Sequence, residues 1–210
     1  ARVAGPGTTG CDGVAGESDG YLQFVVSLSA PSTQTVSVGY SNSNATAVNG
    51  TDYLAQTGTV TFAPGQTTQT VLIPLVDNTT LESTEYMTLN LFSAVNGSIA
   101  REPGWGTIVD NDATTGTPAL SVSDGIVDES AARASFTVTL DRPSTDQVSV
   151  SYAPAEGNAR AGSDYETQEA QTLVFAPGEV SKTVFVNLRG EGLNESAEFF
   201  DLVLSDPTNA

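Results

Sequence analysis

The second half of the chain repeats the first, and this constrains the fold more than any other feature. GESDGYLQFVVSLSAPSTQTVSVGY at 16–40 aligns without gaps on DESAARASFTVTLDRPSTDQVSVSY at 128–152, an offset of 112 residues. NGTDY at 49–53 then pairs with AGSDY at 161–165. After one inserted residue, FAPGQ at 62–66 pairs with FAPGE at 175–179, and LESTEYMTLNL at 81–91 with NESAEFFDLVL at 194–204. A unit this long is a whole domain rather than one turn of a solenoid. The expected organisation is a first domain over 1–112, a Thr/Gly/Pro-rich linker over 113–118 and a second domain over 119–210.

Within each copy apolar and polar residues alternate at period two. Leu22, Phe24, Val26 and Leu28 share one face of a strand, as do Val36, Val38 and Tyr40, then Val60 and Phe62, Val71, Ile73 and Leu75, Met87, Leu89 and Leu91, and Ile108. These runs are short, rich in β-branched residues and punctuated by clusters such as APST and APGQ. They predict strands at 22–28, 36–40, 59–62, 69–75, 86–92 and 106–109, with an earlier one ending near Val14. No stretch holds a helical period. The expected fold class is all-β: two tandem immunoglobulin-like antiparallel β-sandwiches. The second lacks its last strand, because the sequence reaches Ala210 before any counterpart of 106–109.

Charge narrows the function classes. Seven Lys and Arg face 25 Asp and Glu, giving a net charge of −18. No basic stripe exists to neutralise phosphates, so nucleic acid is excluded as a partner, and an anionic membrane surface is disfavoured. No apolar run approaches the ~20 residues needed to cross a bilayer as a helix. With no histidine and a single cysteine, Cys11, neither an intrachain disulfide nor a Cys/His zinc site can form. The first residues, Ala-Arg without Met, read as those of a segment cut from a longer protein.

The acids are not scattered. If successive strands reverse direction, the connections after the first, third and fifth strands meet at one pole, together with the end of the last strand. Glu17, Asp52, Asp77, Glu82, Glu85, Asp110 and Asp112 fall there, whereas the opposite connections hold only Glu102. Seven carboxylates at one pole repel one another unless a cation neutralises them. Calcium takes six to eight oxygen ligands from flexible loops and suits such a set; softer metals lack nitrogen or sulfur ligands here. Asn78, Asn111 and backbone carbonyls are available to complete a shell.

The stretch NARAGSDYETQEAQTLVFAPGE, together with VDNTTLESTEY and GTIVDND, closely resembles the Calx-beta domain, over roughly 13–112 and 119–210. That family is found in sodium–calcium exchangers, in an integrin subunit and in bacterial surface and secreted proteins. The resemblance implies a β-sandwich that binds Ca2+ at one pole, with Glu17, Asp52, Asp77, Glu82, Glu85, Asp110 and Asp112 as ligands in the first copy. The exchanger pattern has Asp where Asn78 and Asn111 stand, which implies fewer ions or weaker binding. In the second copy Glu129, Asp164, Glu195 and Glu198 are retained, while Gly190 stands at the position of Asp77, with Glu191 beside it. Those five acids form a second candidate set.

The expected function is therefore a non-catalytic calcium-binding module of a larger extracellular or cell-surface protein, bacterial by the resemblance, in which calcium at the first pole stiffens the junction between domains. The alternative is an adhesion module binding surface glycans or other protein chains, or an accessory region of a secreted enzyme, with calcium incidental. Trp105 is the residue to watch there, although a lone Trp near a strand start is expected to pack. A hydrolase using Glu82 and Glu85 is disfavoured, because two acids three residues apart on one segment do not flank a substrate. Tyr53 and Tyr165 are expected to plug the cores. The N-x-S/T sequons at Asn44, Asn49, Asn78, Asn96 and Asn194 are expected by chance in so Asn/Thr-rich a chain.

Overall fold

The structure, a computed structural model, describes residues 7–10, 12–100, 103–112, 116–127, 131–190 and 198–210. The chain divides into two compact units, Ala1–Asp112 and Ala113–Ala210. Cys11, Glu102 and Asn194 lie outside the described residues.

Unit 1 is a sandwich of two sheets. Strands β1 (Gly7–Gly10), β3 (Tyr21–Leu28), β6 (Thr68–Pro74) and β8 (Ser98–Ile99) make one, in the order β6-β3-β1-β8. Strands β2 (Gly13–Gly16), β4 (Val36–Asn44), β5 (Thr57–Phe62), β7 (Glu85–Val95) and β9 (Gly104–Val109) make the other, in the order β2-β9-β7-β4-β5. The period-two faces meet between them. Leu22, Phe24, Phe62, Ile73, Met87 and Leu89 are fully buried, each contributing about 1.5–3 kcal/mol of apolar burial. Tyr53 plugs one end of this core.

The sandwich is not wholly antiparallel as expected. Its first strand divides between the sheets: β1 pairs antiparallel with β3, while β2 crosses over and lies parallel to β9. Both β2 and β9 travel towards the same pole, and adjacent strands heading the same way can only pair parallel. A 3-10 turn, Glu17–Asp19, follows β2 and is closed by the Gly16 N–H donating to Asp19 Oδ2 at 2.7 Å.

Unit 2 repeats the plan with three strands in each sheet. Strands β10 (Leu120–Val122), β11 (Arg133–Leu140) and β14 (Ser181–Asn187) form one, in the order β10-β11-β14. Strands β12 (Val148–Glu156), β13 (Gln171–Phe175) and β15 (Phe200–Thr208) form the other, in the order β13-β12-β15. Among the described residues there is no counterpart of β9. Tyr165 is buried as Tyr53 is, and stacks on Phe200 with ring centroids 4.7 Å apart.

The repeated FAPG turn shows how local sequence carries both copies. Gln66 N–H donates to the Ala63 carbonyl and Glu179 N–H to that of Ala176, each at 3.0 Å. The glycines between, Gly65 and Gly178, have φ of +88° and +86°, the value a type II turn requires at its third position.

Gly106 marks a different constraint. A Cβ there would meet Leu22 at 2.5 Å and Phe24 at 2.7 Å. Gly106→Ala should destabilise unit 1 by about 1–3 kcal/mol through overpacking. Urea unfolding followed by Trp105 fluorescence would measure this, and an unchanged midpoint would refute the close packing.

Candidate metal centre

Strand ends assemble the acidic pole of unit 1. In the parallel pair, Gly16 lies beside Val109, so the next residues, Glu17 and Asp110, leave the sheet side by side. Strand β7 enters from the same end, with Glu85 opposite Ile108. Asp52 arrives on the β4–β5 connection. Its Oδ2 accepts the Val48 N–H at 2.6 Å, and its carbonyl accepts the Val76 N–H at 3.0 Å. Next to it, the Tyr53 hydroxyl donates to Asn44, anchoring the loop to the core.

The carboxylates form two groups. Glu17, Asp110 and Asp112 offer oxygens that all lie within 4.8 Å of one another, and so do Asp52, Glu82 and Glu85. Asn78 joins the groups: its N–H donates to Glu17 Oε1 at 3.0 Å, its side-chain amide donates to the same oxygen, and that amide reaches Glu82 Oε2 at 3.3 Å. Asp110 is held by two backbone donors, Glu82 N–H on Oδ2 and Asp112 N–H on Oδ1, each at 3.0 Å. Asp77 stands outside both groups, exposed, and accepts a long contact of 3.5 Å from the Asn111 amide. Six of the seven carboxylates expected at the pole are thus grouped, and the seventh borders them.

These are not solvated surface acids. Glu17, Asp52 and Asp110 are 2%, 3% and 7% exposed. Burial pushes the Glu17 carboxyl up to about 7, opposed by the Asn78 hydrogen bonds and reinforced by the charges of Asp77 and Glu82. Burial also lifts Glu85 to about 7, with Asp52, Glu82 and Glu17 adding to the shift. Asp112 is raised as well, by partial burial and then by Asp110 and Asp77. Two like charges 4 Å apart repel by about 4 kcal/mol at an effective dielectric near 20, so each group strongly favours a positive occupant.

The donor set fits a hard cation. Asp52 Oδ1, Asn111 Oδ1 and Asp112 Oδ2 are buried acceptors with no hydrogen-bond partner when the neighbouring carboxyls are ionised, Glu85 being a donor to Asp52 only in its protonated form. Leaving a buried acceptor unpaired costs about 1–3 kcal/mol, which an ion would remove. The ligands are all oxygens on loops and strand ends, the chemistry calcium prefers. Asn78 presents its amide nitrogen to the carboxylates while its Oδ1 accepts the Thr80 N–H at 2.7 Å, so it bridges acids rather than supplying an oxygen ligand. The spacing of Asn78 in the sequence carried no signal for that role.

Unit 2 is built differently. Glu129, Glu191 and Glu195 lie outside the described residues. Glu198 is exposed just before β15. Asp164 keeps the loop geometry of Asp52, with its Oδ2 accepting the Arg160 N–H at 2.6 Å and its carbonyl accepting the Arg189 N–H at 2.9 Å. Arginines therefore stand where unit 1 has Val48 and Val76, bringing fixed positive charge to this pole. Arg160 pairs with Glu156 at 2.9 Å, and Arg189 donates to the Gly162 carbonyl at 3.2 Å. Glu156 replaces Asn44, leaving the buried Tyr165 hydroxyl without a partner. Among the described residues of unit 2 no group of three acids converges. Aligning the copies reveals both arginines, a signal the count of retained acids passes over.

Comparison with known proteins supplies relatives. The Calx-beta domain family matches residues 13–114 and 110–210. Extracellular matrix protein 3 of Lytechinus variegatus is 31% identical over 172 residues, covering 78% of this chain and 6% of that protein. FRAS1-related extracellular matrix protein 2 of Homo sapiens is 28% identical, covering 75% of this chain and 5% of its own length. Sodium/calcium exchanger 1 of Felis catus is 26% identical, covering 83% and 20%. The chain thus spans a small part of each relative. The crystal structure of CBD12 from CALX1.2 superposes with a TM-score of 0.48 at 23% identity, covering 95% of this chain and 79% of that one.

The raised carboxyls make the metal-free protein pH-sensitive. A group whose native pKa exceeds its unfolded value contributes stability below the unfolded value, and loses it as pH rises through the native one. Metal-stripped unit 1 should therefore weaken as pH rises from about 4.5 to about 7. Melting curves across that range should show the decline, and Glu17→Gln should flatten it. A melting temperature that climbs steadily over the same range would contradict the assignment.

Proposed function

The chain belongs to the Calx-beta domain family, and on that premise we propose that it is a non-catalytic calcium-binding module whose ions sit at the acidic pole of unit 1. One observation carries this reading: six buried or half-buried carboxylates stand in two groups, with three acceptor oxygens lacking donors. Glu17, Asp110 and Asp112 would hold one ion, and Asp52, Glu82 and Glu85 another. A bound ion supplies the positive charge that the residues of the pole lack. Asn78 ties the two groups together through Glu17 and Glu82, and the bond from Tyr53 to Asn44 fixes the loop that carries Asp52.

Unit 2 serves this role less well, since Arg160 and Arg189 already bring positive charge to the loop of Asp164. We assign any ion there to Asp164 with Glu129, Glu191, Glu195 and Glu198, and expect it to be held more weakly.

Asp110 and Asp112 are followed directly by the linker of residues 113–118. Ordering them with calcium should limit the bending of that segment, the property a spacer or stalk needs. Two of the relatives are extracellular matrix proteins by name, which supports a place outside the cell within a larger protein.

A second reading, adhesion through a sheet face, is favoured by Trp105. It occupies an outward position of β9 and is 44% exposed, against the expectation that it packs. Tyr86 and Phe92, also exposed, belong to the neighbouring β7. Loss of binding to a matrix or glycan array on Trp105→Ala would support that reading.

Calorimetric titration of the stripped chain with calcium should show binding to unit 1, and Asp110→Asn or Glu85→Gln should weaken it about tenfold or more. At a hundred times the dissociation constant calcium should stabilise unit 1 by about 2.7 kcal/mol. Near pH 7 the heat should depend on the buffer, because Glu17 and Glu85 release protons on binding. Millimolar calcium that neither binds nor raises the melting temperature would overturn the proposal. Small-angle scattering with calcium and with chelator tests the junction separately; identical profiles would refute stiffening.

A further inference from the structure

A cleft of about 430 Å³ opens in unit 2 between the edge strands β13 and β14 of its two sheets. Its polar lining includes Glu166, Gln168, Gln171 and Asn187; Phe185 supplies an exposed ring, and the largely buried Tyr152 borders it. Two hydrogen bonds set the walls: the Asn187 amide donates to Glu166 Oε2, and the Tyr152 hydroxyl to Gln171 Oε1, each at 2.9 Å. The polar atoms of these side chains outside the two bonds are the Asn187 Oδ1, the Glu166 Oε1 and the Gln171 amide nitrogen. The Arg133 guanidinium stacks 4.2 Å from the centroid of the Phe185 ring, holding that exposed aromatic in place.

Unit 1 has no such lining. The Leu54 N–H donates to the Pro74 carbonyl as the Glu166 N–H does to that of Asn187, each at 2.9 Å, so these positions correspond. The acid and the amide of unit 2 are therefore a leucine and a proline in unit 1. Gln171 pairs with Tyr152 where Gly58 pairs with Tyr40, and a Cβ at Gly58 would meet the Tyr40 ring at 2.9 Å. The two copies share the strands of this cleft and differ in the groups that face it.

We propose that this cleft binds a neutral, polyhydroxylated ligand: a saccharide unit of a glycan. Amides and a carboxylate on fixed walls suit hydroxyls that donate and accept at once. The exposed Phe185 ring suits the apolar face of a sugar. Glu166 puts a negative charge in the lining, which disfavours an anion, and the polar walls disfavour a purely apolar ligand. The proposal rests on neither calcium nor the Trp105 face.

The test is an NMR titration of the ¹⁵N-labelled full chain with the methyl glycosides of glucose, galactose, mannose and N-acetylglucosamine, with calcium and with chelator. At least one should shift the amide resonances of Glu166, Gln171 and Asn187 under both conditions. Glu166→Leu, which installs the residue of unit 1, and Asn187→Ala should each weaken that binding about tenfold with little change in melting temperature. Trp105→Ala should leave it unchanged. The inference is overturned if none of the four glycosides shifts these resonances, if the shifts appear only around Trp105, if chelator abolishes them, or if both cleft variants bind as well as the parent.

Discussion

Carboxylates crowded out of water need neutralising, and the pole of unit 1 gathers six, three buried and three half-buried, on strand ends and loops that the sheets hold together. The parallel pairing of β2 with β9 fixes Glu17 beside Asp110, and the antiparallel pairing of β7 with β9 brings in Glu85. Backbone donors hold Asp52 and Asp110 in place. Separating the charges would require breaking the sheet, so neutralisation comes from protons or from a cation. The raised carboxyls of Glu17 and Glu85 are the protonic answer, and the calcium proposed above would be the ionic one.

The two copies keep one loop backbone and put different charges on it. The loop of Asp52 and the loop of Asp164 share their backbone hydrogen bonds almost atom for atom. What differs is the side chain on the donor residue: valine in one copy, arginine in the other. A fixed guanidinium lowers the need for an ion. The divergence extends to the cleft between the edge strands, where Leu54 and Pro74 give way to Glu166 and Asn187. Shared strands keep the fold, while the side chains on them assign each copy its own chemistry.

Much of the fold was legible because its signals are local. Alternation at period two marked the residues that fill the first core, from Leu22 and Phe24 to Met87 and Ile108. Tyr53 and Tyr165 plug their cores as their place after the loop aspartate suggested. The split of the first strand was not legible: β1 and β2 are short and Gly-rich, and pairing partners outside the local sequence decide their sheet. Trp105 shows the same limit. Its outward position follows from the parity of β9, set by Gly104 and Gly106 facing the core, where Leu22 and Phe24 leave no room for a Cβ at Gly106.

The repeat, the strands, the turns and the concentration of acids in alternate connections follow from the order of residues alone, because each rests on period, spacing or the preference of a residue for a backbone shape. How those acids are partitioned depends on packing in three dimensions. Glu17, Asp110 and Asp112 come together although 93 residues separate the first from the second, Asp52 joins Glu82 and Glu85, and Asp77 remains at the border. Long-range register sets those distances, and a linear pattern does not encode ångströms. Strand parity already puts the two aspartates that end GTIVDND at the acidic pole; the structure adds that β2 brings Glu17 to them and the β6–β7 loop the Glu82 N–H.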